Sequence, residues 1–283
     1  MLPKRKASEL LKLYQLKPNL QDAIVEGVVD KFVLVTLTDG HLPFGSSIYA
    51  ETEIEIDTIE VDNIGGARER VIRLCHDLQQ KRVPNLKGII DRDLDPADTS
   101  RDSWGSLIPT KHTSLDFHLV STSDIFGVVE LAFRLKFTPE FVSNVSNWSR
   151  CLYAIRIYRS TNRSSDVIPS VRKIINNKKC DDSRFLCNVL EKMDSRNGSG
   201  RYWRDSLPKV LAIYADLKFD LADSSNFHDL EEVFSFALIA EYGVDGSIVG
   251  KDWLHRLLRT QLKRGVITDE FVSSAVSHIW GPA

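Results

Sequence analysis

The chain is poor in cysteine. Its 283 residues include four, Cys75, Cys151, Cys180 and Cys187, and no two of them form a CxxC pair. That spacing argues against a zinc site and fits free thiols in a reducing cytosol. Long apolar runs are also missing. No stretch reaches the ~18 apolar residues that a bilayer span requires. The basic start MLPKRKASELLKLY is not followed by the apolar core of a signal peptide. The expectation is a cytoplasmic protein without a membrane role. A net charge of −2 excludes a general nucleic-acid or membrane sponge, while leaving room for a local basic patch. Internal repeats and low-complexity tracts are absent.

What is present is ordinary for a soluble globular chain, 42% apolar and 27% charged. The length suits one large domain or two modest ones and can bury a real core. SELLKLYQL predicts a short helix with Ser8 as cap, stopped by Pro18. LQDAIVEG predicts a strand running into the Glu26-Gly27 turn. VDKFVLVTL is open between strand and crossover helix, since it is rich in β-branched residues. TEIEIDTIEVDN alternates with period two and predicts a half-exposed strand or hairpin. After the Gly65-Gly66 turn, Val71, Ile72, Leu74, Cys75 and Leu78 share one helical face. LKGII then reads as a short strand buried in a parallel sheet.

Beyond about residue 120 helices dominate, with Ser123, Thr138 and Ser206 as expected N-caps and Gly243 and Gly265 as stops. The domain expectation is an N-terminal helix over residues 1–17, an α/β domain over 18–122 and a helical domain over 123–283. The fold class is α/β with a mainly parallel sheet, followed by the helical part.

The chemistry gathers at the strand ends, where open α/β sheets bind ligands. Glu26 follows the first strand. Asp91, Asp93 and Asp95 follow LKGII. Carboxylates this close repel one another, which raises their pKa values. A divalent cation relieves the repulsion, and Mg²⁺ commonly takes one or two carboxylates plus phosphate oxygens. A solvated polar turn is the competing reading of the aspartates taken alone. A calcium loop needs glycine where Pro96 stands. The DxDx[TV] motif of haloacid dehalogenase phosphatases needs Thr or Val where Asp95 stands. A glycosyltransferase-type DxD is a more distant option.

IVEGVVD followed by GIIDRDLD resembles the TOPRIM module of topoisomerases, primases and OLD-family nucleases. More narrowly, VEGVVDKFVL, GIIDRDLD and LIPTKHTSLDFHLV resemble the TOPRIM-like proteins of the DUF4435 family over residues 18–120. Within that family they look like the effector nucleases of the PARIS anti-phage system. The resemblance implies a Rossmann-like TOPRIM domain and a Mg²⁺- or Mn²⁺-dependent nuclease, with Glu26, Asp91 and Asp93 as catalytic metal ligands. It also allows Glu26 to be the general acid/base. Asp30, Asp95, Lys111, His112 and Asp116 are secondary candidates. Asp30 serves equally as a favourable charge at a helix N-terminus, while Lys111 and His112 read more readily as a solvated loop than as phosphate contacts. Thr110 and Thr113 belong to the same family element. In the late helix the family often has Gly-His-Asp, where this chain has Gly250-Lys251-Asp252.

The resemblance further implies an ABC/OLD-like ATPase partner of the AriA type that holds the nuclease inactive, a homodimer on release, and an RNA substrate, with tRNA as its class. Candidate nucleic-acid contacts are Arg256, Arg259 and Lys263, spaced i, i+3 and i+7, and Trp203 beside Tyr202 for base stacking. VRKIINNKK adds Arg172, Lys173, Lys178 and Lys179. Each has a bland counterpart: a solvated amphipathic helix for the arginines, a core anchor for Trp203. A non-enzymatic interaction subunit and a small-molecule phosphatase are the alternative functions.

Overall fold

A computed structural model describes residues 4–38, 42–57, 66–83, 85–92, 106–121, 124–162, 164, 166–173, 181–196, 203–217, 220–261 and 270–281. The chain divides into two compact units, Met1–Thr122 with Gln261–Ala283, and Ser123–Thr260.

The first unit opens with β1 (Arg5–Lys6) and α1 (Ala7–Leu16), then β2 (Asp22–Val25), α2 (Val28–Leu37), β3 (Ile48–Ala50) and β4 (Ile54–Glu55). It continues through α3 (Ala67–Gln80), β5 (Leu86–Ile90), β6 (Leu107–Pro109) and α4 (Phe117–Ser121). One sheet is four-stranded in the order β3-β2-β5-β6, with every pairing parallel. β1 and β4 form a separate parallel pair. From β2 the chain crosses over α2 to β3 on one side. It then returns over α3 to β5 on the other side. The winding therefore reverses between β2 and β5, which is where doubly wound sheets open a binding crevice.

The residues explain the elements. All five apolar residues of the expected α3 face are buried. They pack on β5, where Gly88 is needed: a Cβ there would lie 2.9 Å from both Val71 Cγ1 and Cys75 Sγ. Burial in this contact pushes the Cys75 thiol up to about 12. VDKFVLVTL resolves as helix α2, with Val33, Leu34 and Leu37 buried. A parallel crossover must leave the sheet and return, and that overrides β propensity.

Two local expectations are corrected. Ser8 lies inside α1, one residue past its start, and its N–H and hydroxyl both go to the Asp57 carboxylate. TEIEIDTIEVDN does not extend: Glu51–Glu53 form a 3₁₀ turn and only Ile54–Glu55 pair as a strand. The Glu53 carboxylate accepts the Ala50 N–H at 2.9 Å and Lys31 Nζ at 2.7 Å, which closes the turn. The stretch from Thr58 onward lies outside the described residues.

At the opposite end of the sheet, polar stitching fixes β2. Asp22 accepts Tyr14 Oη at 2.8 Å and Ser47 N–H at 2.7 Å. α12 (Glu270–Trp280) returns from the far end of the chain to contact β2, and Trp280 Nε1 donates to Gln21 O at 2.9 Å.

The second unit comprises α5 (Ile125–Phe133), α6 (Pro139–Thr161), α7 (Asp182–Arg196), α8 (Leu207–Asp216), α9 (Leu221–Ser224), α10 (Phe227–Tyr242) and α11 (Trp253–Gln261). Thr138 caps α6 by accepting Phe141 N–H at 3.1 Å, and Gly243 ends α10 at φ 65°. Asp124 caps α5, while Ser123 lies outside the described residues, as does Gly265. Ser206 precedes α8 but its side chain makes no cap hydrogen bond. The core stacks Trp148 on Phe185 at 5.5 Å and gathers Phe137, Phe141, Phe234 and Tyr242. Arg156 bridges α6 to α10 through a two-pronged pair with Asp229. Among the described residues no helix is long and apolar enough to cross a membrane.

Candidate metal centre

β2 and β5 run side by side with Val25 opposite Ile89, so their carboxyl ends are level. Glu26 leaves the end of β2 and Asp91 leaves the end of β5. Although 65 positions apart in sequence, they meet directly: Glu26 Oε1 accepts the Asp91 backbone N–H at 2.8 Å. Asp91 in turn uses Oδ1 to accept Leu115 N–H at 2.8 Å. The side chain of Asp91 is therefore aimed, and one oxygen retains open valence for another partner.

Two more carboxylates face this point. Gly27 caps α2, and Asp30 sits in the first turn. A Cβ at Gly27 would lie 3.1 Å from Asp30 Oδ2, so glycine gives that carboxylate room beside the turn. Asp116 is buried after β6. The carboxyl of Asp91 is held well above the usual carboxylate range, first by burial, then by the charges of Asp30, Glu26 and Asp116. The Leu115 N–H opposes this only in part. Four acids thus act on one spot at the switch point of the sheet. Asp30 serves both readings, as a helix-start charge and as a member of the cluster.

The loop after β6 is the third wall. Thr110 N–H donates to Ile90 O at 2.9 Å, and its Oγ1 accepts Arg92 N–H at 2.9 Å and donates to His112 O at 2.8 Å. This hydroxyl ties the strand end carrying Asp91 to the loop carrying Asp116. His112 and Thr113 are buried, so the solvated-loop reading fails for them, whereas Lys111 is exposed and fits it. His112 lies 4.9 Å from His118, which is fully buried and stacks on Phe271 of α12 at 4.4 Å. His118 was not anticipated from sequence. The signal available was the density of polar residues in KHTSLDFH, more than a surface turn needs.

Asp93 and Asp95 lie outside the described residues, and so do Lys178, Lys179, Tyr202 and Lys263. The nucleic-acid candidates separate. Arg256 is exposed on α11 and Arg259 half-buried. Trp203 is corrected: it is 2% exposed, its indole N–H donates to Asp166 Oδ2 at 2.8 Å, and Tyr158 packs against its ring. No face of that ring is offered to a base, because the tryptophan is a core anchor of the second unit. The described cysteines Cys75, Cys151 and Cys187 form no disulfide.

No protein-family model matches the chain, and no curated protein matches it.

Proposed function

We propose that the protein is a Mg²⁺- or Mn²⁺-dependent phosphodiester hydrolase of the TOPRIM type. In this reading it is an effector nuclease resembling AriB of the PARIS anti-phage system. It cleaves host RNA, tRNA being the substrate class, after release from an ABC/OLD-like ATPase. The observation that supports the hydrolase most is the meeting of Glu26 and Asp91 at the switch point, with Asp30 and Asp116 charged against the same carboxyl. The nucleic-acid class, the ATPase partner, homodimer formation and the cytoplasmic setting rest on the family resemblance alone.

The donor types suit the ion; among the described residues Glu26, Asp30, Asp91 and Asp116 do not bring three donor atoms within 4.8 Å of one another, so a bound ion would have to draw them together. All the donors are hard carboxylate oxygens, as Mg²⁺ and Mn²⁺ require, and their mutual repulsion disfavours the charged cluster without a cation. Glu26, Asp91 and Asp116 are the described residues that would hold it, with Asp93 completing the set on the family pattern. The bound ion would supply Lewis-acid stabilisation of phosphate oxygens and a lowered water pKa. The chain's own part is orientation and proton handling. Leu115 N–H fixes the Asp91 carboxylate, Thr110 fixes the loop beside it, and Glu26, beside Asp91, would take or return a proton.

The test is incubation of the protein with tRNA, total RNA and plasmid DNA in Mg²⁺ or Mn²⁺, beside Glu26→Ala and Asp91→Ala. Cleavage should vanish in both variants while their circular dichroism is retained. Full cleavage by Glu26→Ala sinks the mechanism. Phosphate release from small monoesters with polynucleotides left intact points to a phosphatase instead. A Mn²⁺ titration with no dependence on Asp91 points to a structural cluster.

A further inference from the structure

The second unit carries a different set of metal-capable side chains. Glu231 of α10, Asp252 just before α11 and His255 on α11 each offer a donor atom, and these atoms all lie within 4.8 Å of one another. Glu231 and His255 are buried and Asp252 is half-buried. We propose that these three residues hold a transition-metal ion of the zinc class, distinct from the all-oxygen centre at Glu26 and Asp91.

The spacing is close to a coordination sphere. Ligands about 2.1 Å from one ion lie roughly 3–4 Å from each other, so the three donors need to close by about an ångström at most. The donor types choose the ion. An imidazole beside two carboxylates suits Zn²⁺, and less strongly Mn²⁺, whereas Mg²⁺ prefers oxygen alone. Three protein ligands leave a tetrahedral ion one further position. Glu231 and Asp252 both line an open cleft of about 390 Å³ that Arg172, His228 and Lys251 also line. An ion they held would border that cleft, where water or a small anion has access.

A simpler account covers only part of this. Glu231 Oε1 accepts Leu254 N–H at 2.8 Å and Oε2 accepts Asp252 N–H at 3.3 Å, so Glu231 caps the start of α11. Capping brings Glu231 to the backbone of Asp252 and Leu254, but it does not require the Asp252 carboxylate and the His255 ring to gather their donor atoms beside it. It also leaves each carboxylate oxygen a second lone pair. Burial and the neighbouring Asp252 charge raise the Glu231 carboxyl, while the Leu254 N–H and His255 act against them, so the pocket favours a positive guest.

Asp252 makes the test clean. Its φ is 59°, in the left-handed region, which asparagine tolerates as well as aspartate. Asp252→Asn therefore removes the ligand charge without straining the turn. The full chain is stripped with chelator and dialysed against Zn²⁺, and bound zinc is counted by mass spectrometry beside Asp252→Asn, His255→Gln and Asp91→Asn. The wild type should retain one zinc that Asp91→Asn also retains. Asp252→Asn and His255→Gln should each weaken it at least tenfold, and Zn²⁺ should raise the melting temperature of the wild type but not of Asp252→Asn. A folded wild type that retains no zinc overturns the proposal. So does unchanged zinc in folded Asp252→Asn, or zinc lost only in Asp91→Asn.

Discussion

Replacing Gly88 by alanine tests how tightly the sheet is clamped beneath the acidic cluster. A methyl at this position would lie 2.7 Å from Leu107 Cδ2 and 2.9 Å from both Cys75 Sγ and Val71 Cγ1. Comfortable carbon contacts start near ~3.5 Å, so three neighbours must retreat by about 0.6–0.8 Å. Leu107 can swing its end away. Val71 is β-branched on a helix and has essentially one rotamer, so α3 itself must move. Overpacking of this kind costs about 1–3 kcal/mol. The lower chain entropy of alanine in the unfolded state offsets about 0.4–1 kcal/mol. A net loss of about 1–2 kcal/mol corresponds to a melting temperature about 2–8 °C lower for a chain of this size. Thermal melts in chelator read it directly. Adding Val71→Ala to Gly88→Ala should recover about 1 kcal/mol relative to additivity, because the clash partner is gone. Since Asp91 is three residues further along, Mn²⁺ affinity should also fall several-fold. An unchanged or raised melting temperature, or a strictly additive double variant, refutes the clamp.

Three further outcomes are expected. The Asp91 carboxyl is raised in the folded state, so the native protein binds its proton more tightly than the unfolded chain; stability of the metal-free protein should fall as pH rises from the ordinary carboxylate range through the raised value. Asp91→Asn should flatten that fall in melts taken in chelator across pH, and an unchanged slope contradicts the reading. Thr110→Val keeps shape but removes the acceptor for Arg92 N–H and the donor to His112 O, so it should cost about 1–3 kcal/mol in denaturant titration and weaken Mn²⁺ binding by calorimetry. Trp203→Ala should cost about 3–5 kcal/mol as a core truncation, whereas Trp203→Phe should leave RNA affinity in a filter-binding assay unchanged once folded.

The legible parts of the fold were those where one local rule acts alone. LKGII is an unbroken apolar run and the α3 face carries one helical period, and both stand as read. Glu26 and Asp91 were readable as partners because parallel neighbours bring strand ends together whatever lies between them. What stayed hidden depends on tertiary competition. Alternation in TEIEIDTIEVDN promised a strand, but Glu53 found Ala50 N–H and Lys31 and turned the chain instead. Ser8 had the chemistry of a cap but Asp57 claimed it from 49 residues away. Trp203 between arginines looked like a stacking platform, and only burial against Asp166 and Tyr158 decides otherwise. The grouping of Glu231, Asp252 and His255 spans two helices and a left-handed residue, and no short motif announces it.

The return of α12 to the first unit has a consequence in time. Trp280 and Phe271 complete a unit whose last described strand ends at Pro109, so some 160 residues, the whole second unit among them, must be synthesised in between. At about 5–20 residues per second, that interval is roughly 8–30 s of translation. During it the helical unit can fold while the first unit still lacks its closing helix, and His118 waits without the ring of Phe271. A chain released early from the ribosome would carry Glu26 and Asp91 but lack the helix that closes their unit. For a protein whose proposed activity attacks the host's own RNA, prematurely terminated products would be the least competent ones.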